Sequence, residues 1–172
     1  MRKYLLFLLF FNILFSFDDI DEINKQFNNL KMNKSITIPE YLKLYSKNYN
    51  KGLKIREENH KSLRFNDIFV FDKFIPMNKD LILNIKLKPT NIAYRNDFNK
   101  RLIKSFIKGK TNKRYKTSLF IKLGKEFCNN STYKRIFNMN VNLYISFSKF
   151  NAYKKPNFVF LYNSKICSAF IN

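Results

Sequence analysis

Residues 137–148 read FNMNVNLYISFS, and apolar and polar side chains alternate along them without interruption. Successive side chains of a β-strand point to opposite faces, so this period of two predicts a strand with one dry and one wet face. We therefore expect this segment to be a principal strand of a sheet that buries one side. The apolar positions are Phe137, Met139, Val141, Leu143, Ile145 and Phe147.

Other segments on both sides of this strand are also predicted to be β-strands. They are rich in aromatic and β-branched residues or alternate between apolar and polar side chains. A turn expected at residues 76–80 would join the first two into an antiparallel hairpin. Together they predict an antiparallel sheet of about five or six strands. The segments are 65–74, 81–87, 115–123, 158–162 and 165–171.

Three segments follow the helical period instead. Residues 18–32 carry apolar side chains at near-helical spacing, with acidic residues at the start, where the helix dipole favours them. A second helix is expected to begin after Thr37 and to stop at Gly52. The third is expected over residues 96–109, ending at Gly109.

The helix predicted at residues 96–109 is both apolar and basic. Phe98, Leu102 and Phe106 recur at steps of four, which predicts one face that packs on the sheet. Lysine and arginine cover the other side, and residues 110–116 are expected to form a basic loop. The predicted fold is therefore α+β, with N-terminal helices, an antiparallel sheet and one inserted basic amphipathic helix.

Residues 1–17 have the pattern of a secretory signal peptide, because two basic residues precede a short apolar run. A helix of that run reaches roughly 21 Å, which is short of a bilayer core of about 30 Å. Leu14 is bulky for a position near a cleavage site, so an uncleaved N-terminal anchor is the alternative. Residues 18–172 are expected to form a single exported domain.

Positive charge accumulates in the second half of the chain. The formal net charge is +21, and Glu126 is the single acid of residues 98–172. Such a field attracts nucleic acid, anionic polysaccharide or anionic lipid headgroups. A genome poor in G and C would also enrich lysine, so codon usage is the competing explanation. The predicted patch for an anionic partner comprises Lys100, Arg101, Lys104, Lys108, Lys110, Lys113, Arg114 and Lys116.

The chain contains two cysteines, Cys128 and Cys167. In an exported protein an even number permits one disulfide. Two buried thiols, which behave as small apolar side chains, are the alternative.

The sequence offers little for catalysis or for a metal. His60 is the single histidine, and it lies in a polar segment where no nucleophile is indicated. A metal centre needs three or four converging ligands, and the one histidine and two distant cysteines do not provide them. We expect no catalytic residue, no metal site and no cofactor.

Three aspartates, Asp67, Asp72 and Asp80, flank the first predicted hairpin. Aspartate beside a turn commonly accepts hydrogen bonds from the local backbone. Paired with Lys86 or Lys88 on the second strand, such acids would instead suit a carboxylate- and metal-dependent hydrolase or nuclease. No motif spacing supports that second interpretation.

Taken together, these features predict an exported, non-catalytic binding or structural protein of the cell envelope. It would be periplasmic, envelope-associated or secreted, and its partner would be an anionic polymer or an anionic membrane surface. The hydrolase or nuclease is one alternative. A cytoplasmic nucleic-acid-binding protein with a misleading apolar N-terminus is another.

Overall fold

The computed structural model of the protein describes residues 36–59, 62–149 and 156–170. The helices and strands of this part of the chain belong to one compact unit, Ile38–Asn172. The leader predicted at 1–17, the helix predicted at 18–32 and His60 lie outside the described residues.

The described part of the chain combines helices with a four-stranded sheet, so the predicted α+β class is confirmed. A 3₁₀ turn, Ala93–Arg95, follows the second strand. In chain order the other elements are α1 (Ile38–Glu58), β1 (Phe69–Met77), β2 (Asp80–Leu87), α2 (Asp97–Ile107), α3 (Lys113–Asn129), α4 (Ser131–Asn138), β3 (Asn142–Ser148), β4 (Phe158–Tyr162) and α5 (Ser164–Cys167).

The sheet has the strand order β1-β2-β3-β4 and is mixed, so the prediction of five or six antiparallel strands is wrong. The first hairpin is confirmed: β1 and β2 pair antiparallel around a turn in which Asn78 has a φ of 52°. However, β2 and β3 run parallel. Parallel neighbours need a long crossover connection, and α2, α3 and α4 provide it.

The strand predicted at residues 115–123 is wrong, because this segment lies within α3. Side chains four residues apart share a face in both a helix and a strand, so the spacing of Tyr115, Leu119 and Leu123 fits either structure. The helix buries Leu119, Leu123 and Phe127 and exposes Ile121. It also begins at Lys113, so the predicted basic loop at 110–116 is shorter than expected.

The strand predicted at 137–148 is confirmed only over its second half, Asn142–Ser148. Residues before it form α4, whose N-terminus is capped by the side chain of Asn130. Asn140, with a φ of 57°, lies between α4 and β3. The last predicted strand, at 165–171, is also wrong: Asn163 caps the short helix α5 there.

Helix α1 continues past Gly52 to Glu58 and covers the edge of the sheet. The side chain of Asn50 donates to the carbonyl oxygen of Phe74 and accepts from its backbone N–H, both at 2.8 Å. These bonds satisfy polar groups that an edge strand otherwise presents to other chains. The rings of Tyr45 and Tyr49 pack on the Phe74 ring, with centroids 5.4 and 4.5 Å from it.

The core lies between the helices and one face of the sheet. Phe69 of β1 contacts Phe106 of α2 and Phe147 of β3, with ring centroids at 5.1 and 5.3 Å. Phe120 of α3 packs on Phe160 of β4 at 5.5 Å. These strand residues share one face through the register of the sheet. Helices α1, α2 and α3 therefore all pack on that face.

A disulfide between Cys128 and Cys167 joins the C-terminal end of α3 to α5. Both cysteines are buried. The chain just after α5 also touches α3 at Gly124, where an added Cβ would lie 2.5 Å from the Phe170 ring. Glycine at this position therefore permits the close approach of the chain after α5 to α3.

Candidate functional site

Helix α2 forms where the sequence predicts it, and its ends have clear local causes. The side chain of Asn96 accepts a hydrogen bond from the backbone N–H of Asn99 at 3.1 Å and caps the first turn. Gly109, with a φ of 70°, follows the last turn in the left-handed region that favours glycine. Shortly after it, Asn112 caps α3 by accepting from the N–H of Arg114. Only a short connection therefore separates α2 from α3 along the chain.

A groove of about 590 Å³ lies between α2 and α3. This volume is within the range of about 300–1,000 Å³ that ligand pockets occupy. Its walls are partly aromatic and partly basic, and each helix contributes one arginine and one ring. The side chains that define the groove are Phe98, Arg101 and Ser105 of α2, and Arg114, Tyr115 and Ser118 of α3.

The aromatic side of the groove is held in place by its own contacts. The rings of Phe98 and Tyr115 have centroids 6.4 Å apart. Burial raises the pKa of Tyr115 to about 12, and a hydrogen bond with the Asn66 side chain opposes that effect. The phenol is therefore neutral at physiological pH, and the positive charge of the groove comes from Arg101 and Arg114.

Two further cavities adjoin the groove. One shares Arg114 with it and adds Lys113 and Ile121 of α3. The other shares Arg101 and adds Asp97, Lys100 and Lys104 of α2. The negative charge of Asp97 is compensated, because its carboxylate forms a salt bridge with Lys100 at 2.9 Å. The hydrogen bond from Lys100 also lowers the pKa of Asp97. We call the three cavities together the basic groove.

The structure brings together five residues of the predicted anionic-partner patch in the basic groove: Lys100, Arg101, Lys104, Lys113 and Arg114. The other three line none of its cavities. Lys108 and Lys110 are exposed around the end of α2, and the Lys116 ammonium lies 5.2 Å from the centroid of the Phe158 ring.

Of the aromatic and aliphatic side chains of the groove, the sequence indicated only Tyr115 as a possible contact, because it lies among the basic residues of the patch. The spacing places Phe98 on the buried face of α2 with Leu102 and Phe106, yet Phe98 is 58% exposed. The buried residues of α2 begin at Leu102, after its first turn. Alternation assigns Tyr115 and Ile121 to a strand. A capping asparagine at Asn112 was the available signal for a helix there.

The three candidate aspartates do not share a site. Asp72 forms a salt bridge with Lys86 at 2.5 Å beside a β-bulge, and Asp80 accepts from the Asn142 side chain at 2.9 Å. Asp67 is exposed in the turn before β1. Lys88 pairs with Glu57 instead. Asp67, Asp72 and Asp80 therefore do not form the paired carboxylates that the hydrolase or nuclease interpretation needs, although Asp72 and Glu57 line one cavity with Lys86 and Lys88.

The described residues offer neither a cluster of metal ligands nor a membrane span. Within residues 36–59, 62–149 and 156–170, histidine, cysteine, aspartate and glutamate form no group of three or more that could bind a metal ion. No helix in that part of the chain combines the length and apolar character of a membrane span.

Glu126 lies on α3 away from the basic groove, and its environment leads to a pH-dependent prediction. Burial raises the pKa of Glu126, and the charge of Lys122 partly opposes this. Because the pKa of Glu126 is higher in the folded chain than in the unfolded chain, folding favours the protonated side chain and disfavours the charged carboxylate. The protein therefore loses stability as the pH rises through the folded-state pKa of Glu126. Glu126→Gln is therefore expected to raise the Tm slightly at pH 7 and to leave it unchanged at about pH 3.5.

The control for this prediction is Glu58→Gln, because the side chain of Glu58 is 62% exposed. That variant is expected to change the Tm little at either pH. A Glu126→Gln protein that melts at a lower temperature at pH 7 would contradict the prediction.

Comparisons with known proteins show a similarity of structure but none of sequence. No family model matches the chain, and no curated protein sequence matches it. The structure is similar to the crystal structure of a Pseudomonas aeruginosa protein that is thought to be secreted. The TM-score is 0.41 and the identity is 17%, over 71% of this chain and 95% of that one. A similarity at this level assigns no activity to the chain.

Proposed function

We propose that the chain is an exported, non-catalytic binding protein of the cell envelope, and that the basic groove binds its anionic partner. One observation carries the proposal: Arg101 and Arg114 project from two different helices into one cavity that also has aromatic walls. Guanidinium groups bind carboxylates and phosphates through paired, charge-assisted hydrogen bonds. Two of them facing one cavity favour an anionic group as its occupant.

The charge balance around the groove supports the same proposal. Among the described residues, no carboxylate forms a salt bridge with Arg101 or Arg114. Five basic residues and one acid, Asp97, line the three cavities, and that acid is paired with Lys100. A ligand with negative charge would therefore meet an uncompensated positive surface.

Two features support export. The N-terminal pattern of residues 1–17 is that of a secretory leader. The bond between Cys128 and Cys167 requires an oxidising compartment to persist, such as a periplasm or the extracellular space.

Charge reversal in the groove tests the proposed binding. Arg101→Glu with Arg114→Glu is expected to weaken binding to heparin, to anionic vesicles or to DNA by about a hundredfold or more, because each lost charged hydrogen bond contributes about 1.5–3 kcal/mol. Titrations over a range of salt concentrations measure the affinity. The unmodified chain should bind more weakly as the salt rises.

The matched control is Lys47→Glu with Lys51→Glu. Both lysines are exposed on α1, so this variant has the same net charge as the groove variant. It should retain most of the affinity, within about threefold. Equal losses in the two variants would show that overall charge, and not the groove, attracts the ligand. The absence of binding to all three probes would contradict the proposed function itself.

A further inference from the structure

We infer that the basic groove docks on the surface of an anionic lipid bilayer, with the headgroup phosphate between Arg101 and Arg114 and with exposed apolar side chains around it in the interfacial layer. The inference rests on the proposed function and names its partner. A highly charged polymer, such as a nucleic acid or an acidic polysaccharide, is the competing occupant.

Exposed apolar side chains distinguish the two partners. Phe98 lines the groove and is 58% exposed, and Ile121 lines the adjoining cavity and is 44% exposed. Arg101, Lys113 and Arg114 lie in the same two cavities. A polyanion can use the positive charges, but an aliphatic side chain such as Ile121 gains free energy only where it leaves water for an apolar medium.

The same region of the chain concentrates exposed apolar surface. Ten large hydrophobic side chains are exposed in the described residues, and five of them lie between residues 92 and 121. Besides Phe98 and Ile121, these are Ile92 just before the 3₁₀ turn, Tyr94 within it and Ile107 at the end of α2. Apolar anchors among lysines and arginines are the composition of a surface that binds in the plane of an anionic membrane.

The chemistry of the groove suits a lipid headgroup. Phosphate oxygens suit the paired donors of two arginines, and the exposed hydroxyl of Ser118 can hydrogen-bond to the rest of a polar headgroup. Phe98 at the rim would then be directed to the boundary between headgroups and acyl chains.

The experiment uses the absence of tryptophan from the chain, which makes an introduced tryptophan the single reporter. Phe98→Trp in the full chain is mixed with vesicles of phosphatidylglycerol and phosphatidylcholine. We expect its emission to shift to shorter wavelength and to be quenched by lipids brominated on their acyl chains. Vesicles of phosphatidylcholine alone should produce neither effect at moderate salt, because the uncharged surface lacks the electrostatic attraction.

The control reporter is Val159→Trp. Val159 is 45% exposed on β4 and pairs with Ser146, on the face of the sheet opposite to the helices. Its emission should not change with either kind of vesicle. This comparison also separates groove docking from attachment through the apolar residues 1–17, which would sediment the protein with vesicles without moving either reporter.

A second variant tests the apolar anchors. Phe98→Ser with Ile121→Ser is expected to weaken binding to phosphatidylglycerol vesicles by about tenfold and to leave heparin binding within about twofold. Both side chains are exposed, so we expect the variant to fold, which circular dichroism checks.

The outcomes separate this inference from the proposed function. If vesicles bind but the emission of the Phe98→Trp protein stays unchanged, the inference is wrong. A second outcome is that Arg101→Glu with Arg114→Glu loses binding to heparin or DNA while the Phe98→Trp reporter does not respond to vesicles. The partner is then a polyanion, so the proposed function stands and the membrane inference fails. If no anionic probe binds, both fail.

Discussion

Phe69→Ala is expected to lower the free energy of unfolding by about 3–5 kcal/mol, the usual cost of removing a buried phenylalanine. Phe69 is fully buried and lies between two elements that are distant in sequence. Its ring contacts Phe106 of α2 and Phe147 of β3. Truncation would therefore leave a cavity where the first helix of the crossover meets the sheet. Chemical denaturation followed by circular dichroism measures the loss.

Two further variants make the Phe69 prediction specific. Phe98→Ala removes the same side chain from an exposed position, and it should cost less than about 1 kcal/mol. Phe69→Leu retains most of the apolar volume and should cost less than Phe69→Ala, which keeps the test informative if the alanine variant does not fold. Similar losses for Phe69→Ala and Phe98→Ala would contradict the packing of Phe69 against α2 and β3.

Cys128→Ala with Cys167→Ala is expected to lower the free energy of unfolding by about 4 kcal/mol. The cysteines are 39 residues apart, and in the chain-entropy model a cross-link over such a loop removes that much conformational freedom from the unfolded chain. The loss should be large relative to a typical total stability of about 5–15 kcal/mol. Denaturation of the two proteins under oxidising conditions measures it.

Reducing agent provides the control for the disulfide prediction. It should destabilise the unmodified protein to a similar extent and leave the alanine variant unchanged. A reductant-insensitive unmodified protein would contradict a stabilising bond. Mass spectrometry and N-terminal sequencing of the natural protein from fractionated cells extend the test to export: free thiols on a cytosolic chain that retains residues 1–17 would contradict it.

Elements with strong local signals could be predicted from the sequence. The β1–β2 hairpin has alternating strands around a turn with Asn78, and α2 has a capping Asn96 and a terminal Gly109. Each signal lies within about a dozen residues. Strand β4 lies at its predicted position for the same reason.

The sequence-based predictions are wrong in two kinds of segment. In one, the spacing of apolar residues fits both a helix and a strand; in the other, contacts with distant segments decide the secondary structure. Residues 115–123 fit both a strand and a helix, and the helix α3 forms because Leu119, Leu123 and Phe127 then share a buried face. At 137–148 the alternation begins before the strand does. Phe137 belongs to α4 instead, because it completes a buried helix face with Tyr133 and Ile136. With a helical segment from 113 to 138 between the strands, β3 can lie parallel to β2.

The candidate site was also predictable only in part from the sequence. Its positive charge follows from composition, since residues 98–172 contain Glu126 as their single acid. The proximity of Arg101 and Arg114 does not follow from the sequence. The two arginines belong to different helices, and they share a cavity only in the folded chain.

By itself the sequence determined the α+β class, the first hairpin, the amphipathic helix α2 and the excess of positive charge, because periodicity, capping and composition act locally or need no partner. Tertiary structure alone decided the parallel pairing of β2 with β3, the groove between α2 and α3 and the exposure of Phe98. Those features depend on which surfaces meet after the chain folds, and contacts between distant segments set that outcome.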